Sequence, residues 1–354
     1  MTRLSNRFLG AAALIALFVP ALQLVAQQHV PPAPDTNAPT PSAAPQDQQT
    51  APPAAGQEAP RPSAPAPSGP PAFPKPDPAN FTAAAPTKDV VDAFLTANWG
   101  YDSNRVWQVQ AILKTAVDGY SKVIVLVADK TGTQRQPQIL SFITLPDVKH
   151  IITGDDIINF GEHPFADARQ KLEQRADGPY RGAASKDLEF VEFADFQCPH
   201  CKEAQVNMDK LVTDYPKARI VFQNFPIPAL HPQSMIASEY SICITKLGGS
   251  SAFFQFASAV FDGQDGLATP DGATLTLNSA VTKAGLDPAK VSACATTPEV
   301  KAQVDASVQL GKDVGINEVP TLMVNGRAIP ANAPYDVLKK IIDYQIKADG
   351  VAGQ

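Results

Sequence analysis

Residues 188–201 read LEFVEFADFQCPHC, and this stretch decides the fold. Its first six residues are aromatic, branched or apolar except at two glutamates, the pattern of a buried strand. The last four are Cys198-Pro199-His200-Cys201. Beyond them Ala204, Met208, Leu211 and Val212 recur at helical spacing. A strand that runs straight into a helix puts Cys198 at the helix N-terminus. Unpaired N–H groups and the helix dipole there favour an anion, here a thiolate. Pro199 suits a first helical turn. His200 adds a positive charge or a hydrogen bond to the Cys198 sulfur. Thiols so placed ionise at about 3.5–7.5 instead of about 8.5. A stabilised thiolate is a stabilised reduced form, which makes the disulfide form an oxidant.

A lone CxxC has two meanings, a redox pair or half a zinc site. Zinc needs two more ligands close by, and the sequence offers no second CxxC and no HxxxH. The strand–helix context favours redox chemistry, with a structural disulfide or half a metal site as the alternatives. No metal ligand is assigned.

Working outward, residues 219–225 (RIVFQNF) form a second strand and residues 231–313 a long helical section. Met323 and Val324 belong to a third strand. Asn325-Gly326 signals a hairpin turn, with residues 327–329 as its partner. Pro334 opens a final helix, with Leu338, Ile341, Ile342 and Ile346 on one stripe. His231 reads as a loop residue without chemistry. Towards the N-terminus, residues 164–176 (PFADARQKLEQRA) read as a connecting helix, stopped by Asp177-Gly178-Pro179. Residues 88–160 carry one helix (Val90, Val91, Phe94, Leu95) and strands at 106–114, 122–128 and 138–145. Short extended pieces follow at 150–154 and 157–160. Trp99 and Trp107 suit its core, and no catalytic constellation stands out in it.

The chain has 354 residues and 34 prolines, about half of them within residues 31–87. That segment is poor in apolar anchors and reads as an extended tether. Arg3, Arg7 and the apolar run 8–26 read as a secretory signal or an uncleaved anchor. Both place the rest outside the cytoplasm, either periplasmic or tethered to the membrane. The net charge of −6 excludes electrostatic wrapping of nucleic acid. The resulting division is 1–26 signal or anchor, 27–87 disordered linker, 88–162 small α+β domain, 163–179 linker helix and 180–354 catalytic domain. The last contains a helical insertion at about 231–313.

The segment EFVEFADFQCPHC, residues 189–201, resembles the active-site segment of DsbA-like thiol:disulfide oxidoreductases of the thioredoxin superfamily. The resemblance covers about residues 180–350. It implies an α/β thioredoxin-like fold with a helical insertion, here preceded by a small α+β domain. It implies a cis-proline loop opposite the cysteines, which Val319-Pro320-Thr321 would supply, pairing with a bound substrate strand. Glu192, six residues before Cys198, stands where the superfamily keeps a buried acid that moves protons to or from Cys201. Its other reading is a solvent-facing strand residue. Cys243 and Cys294 fall where relatives often hold a structural disulfide, closing a loop worth on the order of 4 kcal/mol. Free buried thiols are the rival. The implied partners are client proteins with thiols or disulfides and a redox partner such as a membrane oxidoreductase, with no cofactor. The extra N-terminal part resembles the DsbC/DsbG layout, which implies a homodimer through it. The activity implied is disulfide exchange, as oxidase before isomerase. The alternative is a binding module whose cysteines form a structural disulfide.

Overall fold

The computed structural model describes residues 72–131 and 136–351. The expected signal or anchor and most of the expected tether lie outside the described residues. Among the described residues, no helix is long and apolar enough to cross a membrane.

In the N-terminal part, helix α1 (Lys88–Trp99) starts where the Thr87 hydroxyl accepts the Val90 N–H. It buries Val91, Phe94, Leu95 and Trp99. These pack on an antiparallel meander of β1 (Arg105–Lys114), β2 (Ser121–Asp129), β3 (Gln138–Thr144), β4 (His150–Thr153) and β5 (Asp156–Asn159). The run KVIVLVA forms β2 because alternate residues, Val123 and Val125, face α1.

The linker expected over 27–87 is corrected at its C-terminal end. Phe81 pairs with Ile112 on the edge of β1, and the Ile112 carbonyl accepts the N–H groups of Thr82 and Ala83 at 3.0 and 3.1 Å. Ser121 donates to the Ala85 carbonyl at 2.6 Å. Phe81 and Ala83 are the apolar residues that hold the segment on the core. The prolines around them need no partner for an N–H they lack.

The second sheet has the order β10-β9-β7-β8-β6. Its strands are β6 (Tyr180–Gly182), β7 (Glu189–Ala194), β8 (Arg219–Asn224), β9 (Thr321–Val324) and β10 (Arg327–Pro330). β7 and β8 are parallel, joined by helix α3 (Pro199–Asp214), and every other pairing is antiparallel. All six residues of β7 are buried, its two glutamates included. Phe190 packs with α3 and with the last helix, α8 (Tyr335–Ala348), on one face. Val191 and Phe193 pack on the other with α2 (Ala166–Arg175) and α7 (Pro298–Asp313). The helix read as a connector is therefore a layer of this core, through Ala168 and Leu172. Strand β6 carries no sequence signal beyond its three residues. The β9–β10 turn uses Asn325 and Gly326, both with positive φ, as a two-residue hairpin requires.

The helical insertion comprises α4 (Ser234–Asp262), α5 (Pro270–Lys283), α6 (Pro288–Ala295) and α7. Gly249, at φ 73°, breaks α4 into two segments. Its core is continuous with Phe196, Phe222 and both CPHC cysteines. Cys243 in α4 and Cys294 in α6 are disulfide-bonded, as the resemblance implied.

Arg327 joins the two sheets. Its guanidinium donates to the carbonyls of Ala97 (2.8 Å) and Asn98 at the end of α1, and to the Gln345 side chain (3.3 Å). The rings of Tyr101 and Phe165 each lie 5.1 Å from it. The last carbonyls of a helix have no intrahelical partner and attract a cation. Burial lowers the Arg327 pKa to about 10, which leaves it charged at neutral pH. Tyr344 adds a hydrogen bond to the Thr96 carbonyl at 2.7 Å.

Candidate functional site

Cys198 is the N-cap of α3 with Pro199 in its first turn, and Cys201 lies one turn in. Both are free thiols. Cys201 is fully buried, and Cys198 is 5% exposed. The two differ sharply in acidity. The Cys201 thiol and the backbone N–H groups of Cys201 and His200 hydrogen-bond to the Cys198 sulfur, and these outweigh its burial. Its pKa is lowered to about 6. Burial, and then the hydrogen bond to Cys198, push the Cys201 thiol far up. The pair is thus one ionisable sulfur in front of one neutral thiol.

Opposite them, the Val319-Pro320 peptide is cis. The Cys198 thiol reaches the Val319 carbonyl at 3.9 Å. Thr321 donates to the Glu318 carbonyl at 2.8 Å, which closes the turn into β9. The structure therefore brings the Val319 carbonyl of this cis-proline loop to Cys198.

Glu192 is buried, not solvent-facing. Two-residue periodicity in β7 puts it on the α3 side, where Gln205 donates to it at 2.7 Å. Burial raises its pKa to about 7 against that hydrogen bond, and its charge in turn disfavours ionisation of Cys201. The folded value lies above the free carboxyl's, so folding favours the neutral acid. That stabilisation is complete below the free-carboxyl range and is lost as pH rises through about 7. Glu192→Gln removes the dependence. Between pH 4 and 8 its stability relative to wild type rises by up to about 3 kcal/mol. Denaturant unfolding of both proteins at both pH values measures this, and parallel pH profiles would show that the acid is not buried as described.

His200 is corrected in part. Its imidazole is exposed and pairs with Glu203 at 2.9 Å, which raises its pKa. It is the His200 backbone N–H that bonds to the Cys198 sulfur. The imidazole keeps only a charge interaction with Cys198.

Several residues without assigned chemistry hold the active-site turn. Asp195, fully buried, accepts the N–H groups of Gln197 and Ile227 at 2.8 Å and pairs with His231 Nδ1 at 2.9 Å. Its own N–H points at the Cys201 sulfur (3.4 Å), and its carbonyl accepts the Cys198 N–H (3.1 Å). Gln264 donates to the carbonyls of Phe196 and Cys198, both at 2.9 Å. Gln197 bridges the Gln233 N–H and the Leu267 carbonyl. The helical insertion thus clamps residues 195–198 from three sides. Asp195 stood in the quoted stretch, but its partners Ile227 and His231 lie 32 and 36 residues away, beyond any local motif.

A sheet with a parallel β–α–β unit, a CxxC at the helix start and a cis-proline loop opposite defines the thioredoxin class. Residues 174–344 match the model of the thioredoxin family. Curated relatives include the Na(+)/H(+) antiporters NhaA 3 of Salinispora tropica and NhaA 1 of Mycolicibacterium vanbaalenii. They are 26% and 27% identical, covering 44% and 46% of this chain but 22% and 25% of theirs. The chain thus spans about a quarter or less of those relatives' length. Similar solved structures include a periplasmic thioredoxin-like protein from Salmonella enterica serovar Typhimurium, with 20% identity and TM-score 0.42, covering 51% of this chain and 96% of that one. The thiol-disulfide exchange protein alpha-DsbA2 from Wolbachia pipientis has 22% identity and TM-score 0.43, covering 50% and 94%. BdbD from Bacillus subtilis has 23% identity and TM-score 0.42, covering 48% and 93%.

Proposed function

We propose that this chain is an extracytoplasmic thiol:disulfide oxidoreductase that exchanges disulfides with client proteins, as oxidase before isomerase. The acidity split between Cys198 and Cys201 carries this proposal. In the oxidase direction a client thiolate attacks the Cys198 sulfur of the Cys198–Cys201 disulfide. A client–Cys198 bond forms, and Cys201 leaves and takes a proton. Glu192, uncharged below about pH 7, is suited to supply it. A second client thiolate then attacks the client sulfur and releases Cys198 as a stabilised thiolate. The client loses two electrons and the pair gains them. A redox partner with an accessible disulfide or an equivalent two-electron acceptor restores the pair. Val319 and Thr321 flank Pro320 with backbone groups for a client strand. Export rests on the sequence reading of residues 1–26.

The test supplies the oxidised protein to a fully reduced client and, separately, the reduced protein to a scrambled client. Disulfide formation in the reduced client supports the oxidase. Rescue of the scrambled client alone assigns an isomerase. No effect on either client overturns the proposal in favour of a binding module.

A further inference from the structure

Among the described residues, Asp195 is the one carboxylate tied by its own backbone to both cysteines. A fully buried carboxylate needs partners to offset its lost hydration. Here they are two backbone N–H groups from separate segments and the imidazole of His231, itself 18% exposed. The His231 position is fixed on the chain side as well. Its N–H donates to the Ile227 carbonyl at 2.9 Å, and its carbonyl accepts the Ser234 N–H as α4 begins. One ring bond to Asp195 and two backbone bonds, outside the CPHC segment, make His231 more than a loop residue.

We infer that Asp195 and His231 form a positioning pair for thiol exchange. The carboxylate fixes the two-cysteine turn and holds the His231 ring where a charge on it favours the Cys198 thiolate. This rests on the oxidoreductase proposal and deepens it. His200, the histidine between the cysteines, is turned to Glu203 and cannot fill the role at short range. The charge of His231 favours ionisation of Cys198, which fits the placement. The other titratable groups around the two sulfurs are their own thiols, Asp195 itself, His200 and, beneath Cys201, Glu192.

The test titrates the Cys198 thiolate by its ultraviolet absorbance in the full chain, with His231→Gln, His231→Lys and Asp195→Asn beside wild type. Loss of a nearby opposite charge moves a pKa by about one unit. His231→Gln should raise the Cys198 midpoint by about that much, and His231→Lys should restore part of it. Asp195→Asn, which frees the ring but also removes a negative charge, should move the midpoint less than His231→Gln. The equilibrium potential with glutathione should fall in His231→Gln. A Cys198 midpoint and potential unchanged in a folded His231→Gln protein would overturn the assignment, even if its thermal midpoint dropped. The thiol titration does not require turnover, so it still reads His231 if the client assays fail. Failure of those assays with an intact His231 shift would sink the activity and leave the pair standing.

Discussion

Cys198→Ser reduces disulfide transfer to the uncatalysed background, because serine cannot form the mixed disulfide on which each step depends. The companion measurement is alkylation of wild type across pH. The rate should follow a single ionisation near pH 6, far below the value of about 8.5 for a free thiol. The direction follows from the depressed folded value. Stabilisation of the reduced form through Cys198 is present above the ordinary thiol range and is lost as pH falls through about 6. Cys201, buried and held neutral, should resist the reagent throughout. Turnover in Cys198→Ser, or an alkylation midpoint at the free-thiol value, would remove the proposed nucleophile.

Replacing Cys243 and Cys294 together by alanine should lower stability by about 4 kcal/mol. The bond closes a loop with a sequence separation of 51, and the chain entropy released on opening such a loop is of that order. Alanine avoids leaving a hydroxyl at the fully buried Cys243 position. Urea unfolding reads the loss. The insertion that this bond ties together carries Gln264 and His231, so the loss should extend to the active-site turn. Faster alkylation of Cys201 in the double variant would report it. Unfolding midpoints that coincide would show that the helices hold without the bond.

The thioredoxin-like part of the fold was legible because its signals are local. The apolar run of β7, the CPHC at a helix start, the Asn-Gly turn and the stripe on α8 each lie within one element. The disulfide and the cis-proline loop came from family resemblance, and the structure places both as implied. The supports of the site were hidden because they are contacts between distant segments. Gln264 reaches carbonyls 66 and 68 residues back, and His231 reaches Asp195 across 36. A glutamine in a short helical turn has no periodicity to betray such a role. His200 misled in the opposite way: its position between the cysteines suggested contact, but the helix turned its ring outward to Glu203. Residues 78–87 escaped because proline content masks the two apolar residues that anchor them.

The Arg327 lock has a consequence for where the chain can be cut. The family match begins at residue 174, but the guanidinium it contains is satisfied by Ala97 and Asn98 and lies over Tyr101. A fragment trimmed to the matching residues would lose those acceptors and both aromatic rings, Tyr101 and Phe165, and leave the Arg327 guanidinium uncovered. The stretch that matches the family is smaller than the stretch whose packing is complete.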